Sequence, residues 1–397
     1  MSSVGAAMTP FLFGHASHPD WRSVTELALA QMDGRERLAP PTGSSRLGIF
    51  YASAHYGKDV GQIWEYLKSW TGIEDWVGAT GYGICANGAE YSDVPALGLM
   101  IAELAQDGYQ LFRGEHGLSG MGGFHPHTAL VHADPSTRQL QETTHRLADK
   151  TGAGYLFGGL VQAEPGGFSQ LAGEPYDDGI SGVAFSDRVA IRSRVSQGCA
   201  PLAGEHRISE CSSQFICELD GKPALDVLLA DLGVPQHARG SRDGDEILRA
   251  LPSDRLREGL FVGLSPGDAP RRLGFGDYLV RNVVGIDPRN RLLAVAGTPE
   301  LGDRVVFCTR DRHAAHQDLI RVCTELRSEI EEEGLQVRGG LYHSCVARGA
   351  NLFGSVGAEM DLIRHNLGEL PLIGFHANGE IARNRIYGHT GVLTLFV

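Results

Sequence analysis

Apolar and polar positions repeat one phrase at the two ends of this chain. From Arg46 to Ile84 it runs "RLGIFYASAHYGKDVGQIWEYLKSWTGIEDWVGATGYGI", closed by "LGLMIAEL" at Leu104. From Arg338 to Ile381 it runs "RGGLYHSCVARGANLFGSVGAEMDLIRHNLGELPLIGFHANGEI", closed by "GVLTLFV" at Val397. Each phrase is an apolar run, a small-residue turn, an amphipathic stretch, an apolar run broken by glycines, and a third apolar run. Gly48 falls on Gly340, Ser53 on Cys345, Gly78 on Gly374 and Gly83 on Gly379. Continuous apolar content predicts buried strands at Leu47–Ser53, Trp76–Ile84 and Pro95–Leu104. Ile63, Trp64, Leu67 and Trp70 share one face at helical spacing and predict a helix over Asp59–Trp70. A strand at Thr9–Ala16 and a helix at Trp21–Met32 precede them.

The middle of the chain carries a weaker version of the phrase. Strand, helix and strand are predicted at Ala129–Ala133, Gln139–Lys150 and Tyr155–Val161, then a strand pair at Ile180–Ala184 and Val189–Ser193. A strand at Phe215–Leu219 leads to a helix stopped by Gly233, as a C′ glycine would stop it. Pro235–Glu246, "PQHARGSRDGDE", is polar and glycine-containing, as a linker is. Phe261–Leu264, Tyr278–Ile286 and Arg291–Ala296 alternate like an antiparallel meander. A strand at Val305–Cys308 and a long helix over His313–Glu333 lead to the closing phrase. The expected fold is α/β: two pseudo-symmetric lobes of strand–helix–strand–strand units with mixed sheets, and an intervening antiparallel portion. Expected boundaries are 1–45, 46–234, a linker at 235–246, and 247–397.

Composition narrows the function. A net charge of −13, with no long Lys/Arg cluster, argues against a nucleic-acid partner. Seven cysteines without a C-x-x-C spell neither a zinc ribbon nor a thioredoxin motif. The N-terminus lacks a basic n-region, and no apolar run approaches the ~18 residues of a membrane span. A reduced, cytoplasmic protein is expected.

Candidate chemistry gathers at the strand ends of the repeated phrase. In "YHSCVARG", His343 and Cys345 lie two apart on one strand face. Arg348 is a candidate for holding an anionic group. In "GFHANGEI", Phe375 precedes His376, Asn378 and Glu380, which alternate toward one face. The twin segment offers Thr80 and Tyr82. Small-molecule sites favour clefts between lobes, so these residues form the expected ligand pocket. Cys345 beside a cationic neighbour is also a candidate nucleophile, against the plainer reading of a packed thiol. The pairs His15/His18 and His313/His316 lack a nearby third metal ligand. "GLSPG" fits G-x-S-x-G, but Pro266 follows Ser265 and has no N–H for an oxyanion hole.

The segments "RGGLYHSCVARGANLFG", Glu359, "PLIGFHANGEI" and "TGVLTLF" resemble the FIST domain family. So do "YLFGGLV", "VSQGCAPLAGEHRI", "ELDGKPALDVLLADLG" and "GDRVVFCTRDRHAAHQDL". The resemblance covers roughly residues 45–397, with a FIST N-terminal region over 46–234 and a FIST C-terminal region over 247–397. It implies a sensory protein that binds a small ligand and, standing alone, signals through a separate partner; with no recognisable catalytic set in the sequence, a non-catalytic protein is expected. Some stand-alone relatives look like haem-binding nitric-oxide sensors paired with a histidine kinase. A haem here would need one axial histidine. His389 is the candidate of choice, with His376 and His343 behind it.

Overall fold

The computed structural model describes residues 9–397 apart from 33, 35–38, 120–121, 163, 242, 254–258 and 268–277. Arg242 of the expected linker therefore lies outside the described residues. The chain forms two compact units. One comprises the chain up to Ser196 together with Leu319–Val397, and the other is Gln197–Asp318.

In the first unit, strand β1 (Leu12–Ser17) precedes helix α1 (Trp21–Leu29), which is capped by Asp20 accepting from the Ser23 N–H. Then come β2 (Ser44–Ser53), helix α2 (Val60–Thr71), β3 (Trp76–Gly81), β4 (Gly83–Ala86), β5 (Ala89–Ser92) and β6 (Ala96–Ala105). Strand β7 (Tyr109–Arg113) is followed by β8 (Thr128–Ala133), helix α3 (Leu140–Ala148) and β9 (Tyr155–Leu160). The chain continues through β10 (Gln170–Ala172), β11 (Pro175–Tyr176), β12 (Ile180–Phe185) and β13 (Ile191–Gln197).

The second unit holds β14 (Cys199–Pro201), β15 (His206–Ser212), β16 (Phe215–Leu219), β17 (Lys222–Pro223), β18 (Phe261–Ser265), β19 (Leu279–Asp287), β20 (Leu292–Val295) and β21 (Arg304–Arg310). Pairing runs from β21 through β15, β16, β20, β19 and β18, and β18 pairs with β21 again, so the sheet closes on itself. The expected meander of β18, β19 and β20 is part of it. The segment expected as a linker carries a short helix, Gln236–Arg239, and the start of another, Gly244–Ala250. Ala238 and Ile247 join that unit's apolar core.

Back in the first unit lie β22 (Gly339–Cys345), β23 (Leu372–Ala377), β24 (Glu380–Arg383), β25 (Arg385–Tyr387) and β26 (Thr390–Phe396). The head and tail phrases fold alike. β2 runs parallel to β3 and antiparallel to β6, and β22 runs parallel to β23 and antiparallel to β26. The middle segment is a full third copy, with β8 parallel to β9 and antiparallel to β12. Three six-stranded sheets result, in the orders β1-β6-β2-β3-β10-β11, β7-β12-β8-β9-β24-β25 and β13-β26-β22-β23-β4-β5. Each copy gives away the hairpin after its second parallel strand. The first copy's β4–β5 extends the third sheet, the third copy's β24–β25 the second, and the second copy's β10–β11 the first. The exchange closes as a ring.

One glycine position recurs in all three copies. A Cβ at Gly78, Gly158 or Gly374 would run into the carbonyl oxygen of Phe50, Val131 or Tyr342 on the neighbouring parallel strand. The hairpin exchange also corrects two expectations. Trp76–Ile84 is two strands in different sheets, broken at Tyr82, because β4 pairs with β23. The strand at Ile191–Gln197 neighbours β26 rather than pairing with Ile180–Phe185.

Candidate functional site

Strand alternation sorts the candidate residues onto two faces of the third sheet. The inner face meets the other two sheets. Tyr51, His132 and His343 hold the same place in their copies, opposite Ala79, Gly159 and Phe375. All three are fully buried. Tyr51 Oη lies 3.2 Å from His132 Nε2 and 3.0 Å from His343 Nε2. The Phe375 ring packs at 5.0 Å from Tyr51 and 5.1 Å from His343, centroid to centroid. Burial pushes His343 down to about 3, and burial with the neighbouring His343 pushes His132 well below the usual range. Both rings are neutral at physiological pH.

The outer face lies under the helix Ala358–Leu367. There Glu359 accepts from Tyr342 Oη at 2.5 Å, Arg348 Nε at 2.7 Å, Ser344 Oγ at 3.1 Å and the Gly349 N–H at 3.3 Å. Arg348 also donates to Ser196 through its carbonyl and hydroxyl oxygens. The guanidinium expected to hold a ligand anion is thus committed to a buried carboxylate. Burial pushes Glu359 up, but Arg348 and the Tyr342 hydroxyl outweigh it and hold the acid below its usual range. His376 is on this face too, 3.1 Å from Glu90 Oε1 and 3.8 Å from Cys85 Sγ, both through Nε2. Burial works against a charged His376, yet Cys85 and the Glu90 carboxylate hold its pKa well above the usual value.

The strand ends converge as the repeated phrase suggests. The Tyr82 N–H donates to His376 O at 3.0 Å, and the Leu160 N–H to Gly379 O at 2.9 Å. Thr80 Oγ1 donates to Gln162 O at 2.5 Å. Tyr82 is 40% exposed and Asn378 is exposed, so these two form the rim, while Thr80 is buried under it. Glu380 does not share a strand face with His376 and Asn378. Gly379, at φ +135°, turns the chain into β24, and Glu380 enters the interior beside Cys345. Its Oε2 accepts from Thr390 Oγ1 at 2.7 Å and from the Thr390 N–H at 3.1 Å. Its Oε1 accepts from no N–H or O–H group among the described residues, although the residue is fully buried, and the neighbouring Cys345 thiol is the one weak donor beside the carboxylate. Burial raises Glu380 to about 7. His389, half-buried at φ +61°, turns the chain into β26.

Chemistry at these residues is limited by burial. The Cys345 thiol is pushed up to about 12, chiefly by burial, and burial raises Cys85 as well. Both stay protonated and unreactive at neutral pH. Cys85 and Glu90 meet the same nitrogen of His376, so no relay runs across that imidazole. Among the described residues, no three His, Cys, Asp or Glu side chains are placed to hold a metal ion. His343 and His376 do not fit a haem: each is buried, with Nε2 already facing Tyr51 or Glu90. Clefts of about 920 and 490 Å³ lie elsewhere in this unit, the first lined by Gly122–His125 and Asp187–Arg188, the second by His127, Tyr155 and Ile191–Arg194. No helix among the described residues is long and apolar enough to cross a membrane.

Two family models decide what kind of protein this is. The FIST N domain matches residues 46–222 and the FIST C domain matches 224–383. The chain belongs to the FIST family. FIST domains are associated with small-ligand sensing in signalling. The chain is 32% identical over 211 residues to an uncharacterised protein of Mycobacterium tuberculosis, covering 52% of this chain and 50% of the relative. An uncharacterised protein of Mycobacterium bovis is 30% identical over 210 residues, covering 51% and 50%. The chain thus spans about half the length of these relatives.

In this FIST protein several residues at the strand ends and beneath them escaped sequence reasoning. Glu90 and Cys85 lie on the exchanged hairpin, which nothing local marks as belonging to another copy's sheet. His132 was findable: aligning "ALVHA" with "GLYHS" places it on His343. Gln170, the counterpart of Glu380, sits after a loop of different length and carries no such signal.

Proposed function

We propose that this FIST protein is a sensory protein without catalytic chemistry of its own. It binds a small ligand at the converging strand ends of its first unit and signals through a separate protein partner. The ligand enters beside the Gly388–His389 turn, between Asn378 and Tyr82, and reaches Cys345 and Glu380. One observation carries this reading: a fully buried carboxylate oxygen, Glu380 Oε1, without an N–H or O–H donor among the described residues. Leaving such a group unsatisfied costs about 1–3 kcal/mol or more, a cost a bound donor removes. The raised thiol of Cys345 supports binding over nucleophilic attack by that residue.

Gly388→Trp tests it. Apart from its chain neighbours, no described atom lies within 4 Å of the place a Cβ would take at Gly388, so a side chain there starts in open space. The small-molecule fraction released from purified protein by denaturation is identified by mass spectrometry and added back. The variant is expected to melt like the parent and to lose rebinding. Undiminished rebinding, or turnover of a metabolite panel by the parent, would contradict the proposal.

A further inference from the structure

The three copies supply an internal comparison at Glu380. Glu380 opens β24, opposite Gly159 on one side and Tyr387 on the other. Gln170 opens β10 opposite Ala79 and Tyr176, and Ile84 in β4 lies opposite Phe375 and Tyr91. One position of the ring therefore holds a hydrocarbon, an amide and a carboxyl. Ile84 needs no partner. Gln170 satisfies both ends: Oε1 accepts from Ser181 Oγ at 2.6 Å, and Nε2 donates to Gly179 O at 3.3 Å. Glu380 is satisfied by N–H and O–H donors at one end only, through Thr390, with the Cys345 thiol as a weak donor beside it. An acceptor with no N–H or O–H donor among the described residues stands where the middle copy has a donor in use.

We propose that the ligand of this site carries a compact cationic donor, an ammonium or guanidinium group, which docks on Glu380 Oε1. The inference rests on the strand-end site of the preceding subsection and names its ligand class. A carboxylate and a charged N–H make a shorter, stronger bond than a neutral pair, and more so away from bulk water. Around the acid, Thr390, Arg348 and the Cys345 thiol each favour the carboxylate, but none of them outweighs its burial. The Arg348 guanidinium is neutralised by Glu359 at 2.7 Å, and the Cys345 thiol and Thr390 hydroxyl are uncharged. His389 lies in the adjoining turn.

Binding is then coupled to a proton. Because burial lifts Glu380 to about 7, the buried acid is partly protonated at neutral pH, and the cation binds only the carboxylate. The competent fraction rises from about one tenth at pH 6 to about nine tenths at pH 8, so the apparent Kd falls roughly tenfold over that range.

Titration calorimetry tests this with ethylammonium, putrescine and guanidinium as probes, and propanol and propionate as controls. Wild type and Glu380→Gln are compared at pH 6, 7 and 8. The variant is expected to fold, because the middle copy already carries glutamine at this position. A cation is expected to bind wild type, roughly tenfold more tightly at pH 8 than at pH 6, with proton release. Its affinity for Glu380→Gln is expected to fall at least tenfold and lose its pH dependence. No binding by any of the three cations, equal binding to the variant, or wild-type binding that ignores pH would overturn the proposal. Failure here leaves the site standing if Gly388→Trp still blocks rebinding of the released small molecule; rebinding by that variant removes the site itself.

Discussion

Individual side chains in this fold are set by how burial treats charge. Glu359 and Arg348 are both buried, 1% exposed each, and stay ionised because every near neighbour of the carboxylate donates to it. Glu359→Leu is expected to cost about 3–5 kcal/mol in denaturant unfolding, because it strands a buried guanidinium. Arg348→Met with Glu359→Leu is expected to recover much of that loss; a double variant as unstable as the single one would contradict it. His132 and His343 show the opposite treatment. Their folded forms refuse the proton that the unfolded chain takes up below about 6.5. Stability from this pair is therefore full above that pH. The His343 part is lost as pH falls toward about 3, by up to about 1.4 kcal/mol per pH unit, and the His132 part is lost in the same direction. His343→Leu is expected to flatten the acid limb of a stability-versus-pH curve. His376, held high against Cys85 and Glu90, runs the other way, its contribution full at low pH and lost as pH rises through its folded pKa. Thiol labelling near pH 7.5, read by mass spectrometry, is expected to reach the half-buried Cys211 and Cys217 well before Cys345 or Cys85. Cys345 was legible as a strand-end residue, since i and i+2 share a face. That its thiol is inert was not, because its burial is set by tertiary packing and not by the local pattern.

Strands and helices were readable where their cause is local. Apolar runs and helical spacing in "RLGIFYAS" and "DVGQIWEYLKSW" correspond to β2 and α2. Edges set by distant partners were not readable. Nothing in "GATGYGI" announces that the chain leaves one sheet at Tyr82 and joins another at Gly83, because the signal is β23, nearly 300 residues on. Glu380 illustrates the same limit. Period-two counting places it with His376 and Asn378, but the turn at Gly379 hands it to a different sheet. Glycine spacing, by contrast, carries structure directly. Gly374→Ala is expected to destabilise the first unit severely, since its Cβ would collide with the Tyr342 carbonyl rather than a movable side chain. The conservative control is Gly34→Ala, where no atom of the other described residues lies within 4 Å, though its positive φ imposes a modest cost. Equal melting of the two variants would remove the steric reason given for the recurrent glycine.

At the scale of the whole molecule, three strand–helix–strand–strand copies exchange hairpins in a ring, and the second unit is inserted between β13 and the last copy. Two of these copies stand out in the sequence because their glycines align; the third has drifted in its loops and turns while keeping its topology. The ring brings the ends of β3, β9 and β23 together and leaves a buried acid with one incompletely satisfied oxygen among them, which is the physical basis for a ligand site there. Hydrogen exchange, with and without the small molecule released from the purified protein, tests this most directly. Slowed exchange is expected in residues 343–348 and 377–391. Slowing confined to Gly122–His125 and Asp187–Arg188, around the 920 Å³ cleft, would place the ligand elsewhere and contradict the strand-end site.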